Sequence, residues 1–402
     1  MSTSTAAEVG TLRLATAGSV DDGKSTLVGR LLHDSKSVLA DQLESISRTG
    51  TPDLALLTDG LRAEREQGIT IDVAYRYFAT PRRRFILADT PGHVQYTRNM
   101  VTGASTAELT VILVDARDGV VEQTRRHAAI AALLRVPHVV LAVNKMDLVG
   151  YEESVFAAIT EEFAAYAREL GVSAVTAIPI SALAGDNVVE PSANMDWYGG
   201  PTVLEHLETV PVSAEPSGTP ARFPVQYVIR HGESRYYAGQ LVSGTLRVGD
   251  AVTVHPSGRT TTIVGLDVLG TEAVEAHAGA SFTVRLADEL DVARGDLIAP
   301  ADDRAPVVTR DVTAAVCHLA DQPLVVGQRV LVRHTTRTVR AVVRSLDGAD
   351  TLGVNDLGRV VLRTAEPVVV DDYAAIRRTG AFLVVDPVEG TTLTAGMVVL
   401  PG

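Results

Sequence analysis

The chain has 402 residues, of which 46% are hydrophobic and 21% charged, and a formal net charge of -13 at pH 7. This length and composition indicate about two or three globular domains, and the acidic charge argues against a broad nucleic-acid-binding surface. The sequence has neither a secretion-signal pattern nor an apolar run approaching the about 20 residues of a membrane span. We therefore expect a cytoplasmic protein without a membrane partner.

Strand and helix patterns alternate in the first half of the chain. The strand patterns are residues 11–18, 70–80, 82–89, 109–115, 138–144 and 174–180, and the helix patterns are residues 24–35, 121–134 and 151–170. Such alternation predicts an α/β domain with a mostly parallel sheet covered by helices on both faces. Ligands of such sheets bind at the carboxyl ends of the strands.

The second half of the chain has β-strand patterns throughout. It begins after residues 210–224, a tract rich in Pro, Ser and Gly that is typical of a linker, and it is broken again at 298–306. The sequence therefore predicts a multidomain chain, with an α/β domain at 10–212 followed by two small antiparallel β-barrels at 218–302 and 306–402. We expect the single cysteine, Cys317, to be a buried strand residue and not a reactive thiol.

A phosphate-binding pattern, Gly18-x4-Gly23-Lys24-Ser25, joins the first strand to the first helix. Backbone N–H groups of such a loop surround a β-phosphate, Lys24 reaches the phosphate oxygens, and the Ser25 hydroxyl ligates Mg²⁺. The pattern also arises by chance, so the other motifs decide its meaning. The predicted nucleotide contacts in this loop are Gly18, Asp21, Gly23, Lys24, Ser25 and Thr26.

Two aspartates, Asp21 and Asp22, stand inside this loop, where negative charge opposes phosphate binding. We predict that Asp22 points to solvent. Asp21, placed nearer the phosphates, is predicted either to help hold a monovalent cation there or to move with a switch segment.

The strand pattern at 82–89 ends in Asp89-Thr90-Pro91-Gly92-His93. Asp89 can hold Mg²⁺ through water, and the Gly92 N–H can bind a γ-phosphate. The alternative is a Pro-Gly turn that binds nothing. His93 is predicted to orient the attacking water, although a histidine after a turn is often structural. The other nine histidines, His127 among them, have no metal-ligand spacing, and we assign them structural or surface roles.

Thr70 ends a long polar segment, within Gly68-Ile69-Thr70-Ile71. Its hydroxyl can complete a Mg²⁺ shell when a γ-phosphate is present and leave when it is absent, which predicts a metal ligand that acts in catalysis and as a switch. The charged residues before it, 61–68, also fit a solvated amphipathic helix.

A guanine-binding pattern, Asn144-Lys145-Met146-Asp147, ends the strand pattern at 138–144. The Asp147 carboxylate can accept hydrogen bonds from the ring N–H and the exocyclic amine of guanine, which adenine does not offer in that arrangement. Lys145 is predicted to lie over the base and brace the Gly18 loop; Lys24 and Lys145 are two of only three lysines in the chain. Ser181, Ala182 and Leu183, after the next strand, are predicted to supply N–H groups for the guanine carbonyl. The ligand is therefore expected to be GTP or GDP.

The motifs together carry a family resemblance. They are GSVDDGKST, EREQGITID, DTPGH, NKMD and SAL, and with the two barrels they resemble the elongation-factor-like translational GTPases over essentially the whole chain. Longer phrases, DLALLTDGLRAEREQGITIDVAYRYF and DTPGHVQYTRNMVTGAST among them, are similar to the large, GTP-hydrolysing subunit of bacterial sulfate adenylyltransferase. Elongation factors usually have histidine or another residue at the position of Asp22.

This resemblance implies a P-loop GTPase domain followed by the two barrels, with GTP/GDP and Mg²⁺ as ligands. It implies a regulatory subunit whose GTP hydrolysis drives formation of adenosine 5'-phosphosulfate and pyrophosphate from ATP and sulfate. Because we find no second nucleotide loop in the sequence, we expect ATP and sulfate to bind a small catalytic partner subunit. For the same reason we expect no adenylylsulfate kinase activity in this chain.

Two alternatives stay open at this point. An elongation-factor-type protein that carries tRNA would use the basic run at Arg329, Arg333, Arg337, Arg340 and Arg344. We favour a solvated hairpin or a protein interface for this run, and expect no nucleic-acid partner. A stand-alone GTPase switch in another pathway is the third interpretation.

Overall fold

The computed structural model describes residues 10–35, 72–172, 174–211, 218–232, 234–268, 270–302 and 304–401. The chain divides into two compact units, Met1–Ser213 and Ala214–Gly402. Within the described ranges, no helix is long and apolar enough to cross a membrane. The predicted boundaries at 10–212, 218–302 and 306–402 stay our proposal for the domains.

A six-stranded sheet forms the centre of the first unit. Its strands are β1 (Thr11–Ala17), β2 (Ala74–Ala79), β3 (Arg84–Asp89), β4 (Leu109–Asp115), β5 (His138–Asn144) and β6 (Val175–Pro179). Their order is β2-β3-β1-β4-β5-β6, and only the β2–β3 pair is antiparallel. Every residue of β4 is buried, as expected for a central parallel strand with both faces covered, and this explains its unbroken apolar sequence. The predicted α/β architecture is confirmed.

Five α-helices accompany this sheet in the described residues. They are α1 (Lys24–Asp34), α2 (Thr97–Ala104), α3 (Glu122–Leu133), α4 (Glu153–Glu169) and α5 (Val203–Thr209). The three predicted helices correspond to α1, α3 and α4, whereas α2 and α5 were missed. Helix α5 begins with a capping box, in which Thr202 and Glu205 bond each other's backbone N–H. The Thr-x-x-Glu spacing was a usable signal for that helix.

The second unit contains two closed six-stranded barrels. The strands of the first are β7 (Phe223–His231), β8 (Ser234–Gln240), β9 (Thr245–Arg247), β10 (Ala251–His255), β11 (Arg259–Val268), β12 (Thr271–Ala273), β13 (Glu275–His277), β14 (Ser281–Leu286) and β15 (Leu297–Pro300). The ring runs β10-β15-β7-β8-β14-β11 and closes by pairing β11 with β10; β12 extends it beyond β11, and β9 and β13 pair separately.

The second barrel follows the same principle. Its strands are β16 (Val307–His318), β17 (Leu324–Val325), β18 (Arg329–His334), β19 (Arg337–Leu346), β20 (Thr351–Leu352), β21 (Leu357–Val370), β22 (Ala381–Val385) and β23 (Thr392–Val398), with a short helix α6 (Arg377–Gly380). The closed ring is β16-β21-β19-β18-β22-β23. Closure leaves no unpaired edge in the ring, and the prediction of two antiparallel barrels is confirmed.

Strand alternation explains the basic run of the second barrel. On β18 the side chains of Val330 and Val332 are buried, while Arg329 and Arg333 face outward and are exposed. Arg340 and Arg344 of β19 are likewise exposed, so these four arginines lie on the outer surface. Cys317 is buried in β16, as predicted.

A buried ion pair joins the two barrels within this unit. Arg222 is 1% exposed, and its guanidinium contacts the Asp371 carboxylate through Nε at 3.0 Å and Nη2 at 2.9 Å. Asp371 also accepts from the Thr379 hydroxyl at 2.6 Å. The predicted linker at 210–224 therefore ended too late, because Arg222 is part of the barrel core.

Candidate nucleotide site

Four loops meet at the carboxyl edge of the sheet. They follow β1, β3, β5 and β6 and contain the motifs that begin at Gly18, Asp89, Asn144 and Ser181. The parallel register aligns the strand ends, since Thr16 faces Asp89 and Asp115 faces Asn144. The sheet therefore brings together motifs that are far apart in the sequence.

The phosphate-loop motif is held by its own lysine. The Lys24 ammonium donates to the carbonyls of Gly18 at 2.9 Å and Ser19 at 2.8 Å. It is 7% exposed, and burial lowers its pKa, while the carboxylates of Asp89 and Asp22 oppose that shift. A cation so placed, at the N-terminus of α1, suits an anionic ligand.

Asp22 does not point to solvent, so that prediction was wrong. Its side chain is buried and accepts a hydrogen bond from the Ser19 N–H, which folds the loop back on itself. Burial raises the pKa of Asp22 from 3.8 to about 6, although the Ser19 N–H and Lys24 favour the ionised form. Asp21 is the exposed member of the pair, in a left-handed conformation with φ of 69°. The predicted place of Asp21 nearer the phosphates stays a prediction.

The loop after β3 packs directly on the phosphate loop. Asp89 is buried and accepts from the Thr16 hydroxyl at 2.9 Å. A Cβ atom on Gly92 would lie 2.4 Å from both the Gly18 carbonyl oxygen and the Lys24 ammonium nitrogen, so only glycine fits this contact. The structure thus brings together the two loops assigned to the phosphates.

His93 lies at the start of the turn that leads into α2. Its Nδ1 accepts from the Gln95 backbone N–H at 3.3 Å, so a neutral His93 carries its proton on Nε2. An Nε2–H group is a hydrogen-bond donor. In this state the ring can orient a water molecule by donating to its oxygen.

Asn144 bridges the phosphate loop and the base-binding loops. Its Nδ2 donates to the Asp22 carbonyl at 2.7 Å, and its Oδ1 accepts from the Ala182 N–H at 2.9 Å. A Cβ on Gly23, whose φ is 91°, would lie 2.3 Å from the Asn144 Nδ2, so this close approach requires glycine. Sequence reasoning gave the bracing role to Lys145, but these hydrogen bonds assign it to Asn144.

Lys145 pairs with a buried carboxylate that sequence reasoning missed. Its ammonium is 2.8 Å from the Asp115 Oδ2, and Arg117 bonds the same carboxylate at 2.6 Å. Burial alone opposes ionisation of Asp115, but hydrogen bonds from Arg117 and Lys145 hold its pKa below the ordinary value. The pair thereby fixes the Lys145 side chain beside the loop that contains Asp147, whose own side chain is partly exposed.

The Ser181–Leu183 loop is anchored from two directions. The Ala182 N–H already donates to Asn144, and the Ser181 side chain accepts from the Ala184 N–H. Arg30 of α1 donates to the carbonyls of Ala182 and Leu183. Arg30 is thus a second link between the phosphate helix and this loop, and no motif in the sequence pointed to it.

The metal prediction rests on Ser25, Thr70 and Asp89. Ser25 lies in the first turn of α1, and Asp89 supplies a buried carboxylate on the neighbouring strand end. Hydroxyl and carboxylate oxygens suit Mg²⁺, which usually takes few protein ligands besides waters and phosphates. Thr70 lies outside the described residues. Among those residues, no cluster of three or more His, Cys, Asp or Glu side chains forms a metal site by itself.

Comparisons with known families agree with this geometry. A family model described as the Elongation factor Tu GTP binding domain matches residues 10–216. A second, described as GTP-eEF1A C-terminal domain-like, matches residues 311–399. The fold and the site therefore define a GTP-binding protein of the elongation factor Tu type.

Individual relatives identify the family within this class more closely. The Bifunctional enzyme CysN/CysC of Mycobacterium tuberculosis is 53% identical over 96% of this chain and 67% of that protein. Sulfate adenylyltransferase subunit 1 of Shewanella oneidensis is 47% identical over 97% of this chain and 85% of that protein, and the protein of that name from Citrobacter koseri is 47% identical over 96% and 86%. The chain belongs to the sulfate adenylyltransferase subunit 1 family. This membership does not favour the translation-factor alternative.

Proposed function

We propose that this chain is the GTP-hydrolysing regulatory subunit of a sulfate adenylyltransferase. GTP hydrolysis on this chain would drive the uphill formation of adenosine 5'-phosphosulfate and pyrophosphate from ATP and sulfate. The observation that carries the proposal is the convergence of four nucleotide-binding loops at one sheet edge, in a chain 47% identical to proteins named sulfate adenylyltransferase subunit 1.

The word subunit in those names implies a partner, and we propose a small catalytic subunit that binds ATP and sulfate. Coupling requires that this partner bind the GTP state and the GDP state with different affinities, and the effect must be reciprocal. The Thr70 and His93 segments are the proposed reporters of the nucleotide state.

The proposed nucleotide contacts follow the loops. Backbone N–H groups of Gly18–Thr26 would surround the β-phosphate, the Lys24 ammonium would reach the β- and γ-phosphate oxygens, and the Gly92 N–H would bind the γ-phosphate. The partly exposed carboxylate of Asp147 would accept both N–H groups of the guanine edge, beside Lys145 and Ser181–Leu183. Because Asn144 connects these two halves, base recognition and phosphate binding share one hydrogen-bond network.

Mg²⁺ would be held by Ser25, Asp89 and Thr70, and when bound it neutralises charge on the phosphate oxygens. The chain's own groups supply the other parts of catalysis. Lys24 would stabilise charge on the β- and γ-oxygens, and the His93 Nε2–H would orient the attacking water.

Asp21 is proposed to help hold a monovalent cation near the phosphates. Its exposed position and left-handed backbone leave the carboxylate accessible from solvent, which is compatible with exchange of such an ion. The GTPase rate is expected to depend on replacing K⁺ by Na⁺ in the wild type and to lose that dependence in Asp21→Asn. If neither the exchange of K⁺ for Na⁺ nor Asp21→Asn changed the GTPase rate, the proposed cation site would be contradicted.

The function is tested by sulfate-dependent pyrophosphate release from this chain mixed with its small partner and ATP, with and without GTP. GTP is expected to stimulate product formation, and Asp147→Asn should weaken that stimulation at limiting GTP. Arg168→Gln, an exposed change on α4, is the matched control and should behave as the wild type. Product formation indifferent to GTP would contradict the sulfate assignment, and tRNA binding would then be measured.

A further inference from the structure

Helix α3 places two polar side chains behind the Gly92 peptide. Gln123 and His127 are one helical turn apart, and the Gln123 Nε2 lies 3.3 Å from the Gly92 carbonyl oxygen and 3.0 Å from the His127 Nε2. His127 is 2% exposed, and Gln123 is partly buried. The interpretation of His127 as structural or surface did not predict that it bonds Gln123, the residue that contacts the Gly92 carbonyl.

The chemistry of the three groups fixes where the protons are. A carbonyl only accepts, so the Gln123 atom that faces Gly92 must be the amide nitrogen, which has a second hydrogen for His127. The His127 Nε2 is then an acceptor, and the ring proton of a neutral His127 sits on Nδ1. Burial lowers the pKa of His127 to about 3, with the charges of Lys24 and Arg126 acting in the same direction, so the ring is neutral at physiological pH.

The His127 Nδ1 has no hydrogen-bond partner among the described residues. A buried N–H group without a partner is unfavourable, and an apolar side chain would fill the same space without that penalty. The presence of an imidazole at this position is therefore best explained by its Nε2 atom. This atom accepts a hydrogen bond from the Gln123 amide and holds that amide toward Gly92.

Peptide planarity extends this contact to His93. The carbonyl of Gly92 and the N–H of His93 belong to one rigid plane, so fixing the carbonyl direction fixes the position of the His93 Cα as well. We propose that Gln123, oriented by His127, is a positioning residue for GTP hydrolysis that sets the Gly92–His93 peptide, and with it the His93 Cα, for water orientation. This inference rests on the role proposed above for His93.

The test compares GTP hydrolysis in a single turnover with GDP affinity, on the full chain without a partner. Gln123→Leu, which removes the donor and keeps the volume, should slow hydrolysis about 10- to 100-fold and leave the GDP Kd within about twofold. His127→Gln keeps an acceptor oxygen and should retain most activity, whereas His127→Leu should behave as Gln123→Leu. Arg125→Leu is the matched control, because Arg125 of the same helix pairs with Glu162 of α4. This variant should hydrolyse GTP at the wild-type rate.

A spectroscopic readout needs no substitution. Long-range ¹H–¹⁵N correlation of histidine rings should show His127 of the wild type as the neutral Nδ1–H tautomer. An Nε2–H tautomer, unchanged hydrolysis in Gln123→Leu, or equal losses of hydrolysis and GDP binding would each overturn the inference. Because neither readout uses sulfate or the partner, failure of the sulfate-coupled assay would leave these results interpretable.

Discussion

Two buried cations, Arg222 in the barrel unit and Lys24 in the GTP-binding unit, differ in how their charge is balanced. In the barrel unit, the buried Arg222 guanidinium donates hydrogen bonds to the Asp371 carboxylate and to the carbonyls of Ala221 and Arg304. In the GTP-binding unit, burial disfavours the charged forms of both Lys24 and Asp22. A buried charge satisfied by a protein counter-ion supports the fold, whereas a buried cation without one in the described residues, such as Lys24, marks a place that an anionic ligand completes.

The largest effect is expected in the barrels. Arg222→Met leaves Asp371 buried without its partner and should lower the free energy of unfolding by about 3–5 kcal/mol, with GDP affinity unchanged. Urea denaturation and a fluorescent GDP titration measure the two quantities. Arg222→Met combined with Asp371→Leu should regain part of the loss, and a double variant as unstable as the sum of the singles would contradict the ion-pair explanation.

Lys24→Met should weaken nucleotide binding and leave stability nearly unchanged, the opposite of Arg222→Met. GTP affinity should fall about 100-fold or more, because charged hydrogen bonds contribute about 1.5–3 kcal/mol each. The nucleotide-free protein should lose little stability, since the ammonium is buried at an electrostatic cost. A thermal melt without nucleotide checks this, and a melting temperature as low as that of Arg222→Met would refute the distinction.

Asp22→Asn tests the raised pKa of that carboxyl. An acid whose pKa is 3.8 when unfolded and about 6 when folded adds full stability below pH 3.8 and loses it as pH rises to about 6. Asn mimics the protonated form, so the nucleotide-free variant should be more stable than the wild type by about 3 kcal/mol at pH 7 and equal to it below pH 3.8. A stability difference constant from pH 4 to 7 would show that burial does not act on Asp22.

Asp115→Asn should have the smallest effect of these substitutions. Loss of the carboxylate frees the Lys145 side chain, and GDP affinity should fall about tenfold, in keeping with one charged hydrogen bond. Arg117→Met removes a half-exposed partner of the same carboxylate and serves as the control, with a smaller change in Kd. Equal effects of the two substitutions would mean that Lys145 is not held through Asp115.

Sequence patterns were sufficient for the α/β sheet, both barrels and the location of the four loops. Glycine spacing and strand ends are local signals, and Gly18, Gly23, Gly92 and Asp147 stand where those signals put them. Helix α2 was missed because Thr97–Ala104 is short, contains Gly and β-branched residues, and has no side-chain cap.

The errors concern side chains whose partners lie elsewhere or whose burial depends on packing. Asn144 bonds residues 122 and 38 positions away, and Arg222 pairs with a carboxylate 149 positions away, so no local pattern reveals either contact. Asp22 accepts from a neighbour three residues away, but its burial comes from the surrounding loops. An aspartate in a glycine-rich loop is compatible with either orientation until that packing is known.

The distinction between the two units is tested most directly by backbone hydrogen exchange with and without GDP and Mg²⁺. Nucleotide should slow exchange in the four loops, at residues 18–26, 89–93, 144–147 and 181–183, and leave the barrel junction at Arg222 and Asp371 unchanged. Slowing of equal size at that junction, or none in the two base-binding loops, would contradict this account. In it, a nucleotide balances the charge of the phosphate loop and has no role at Arg222.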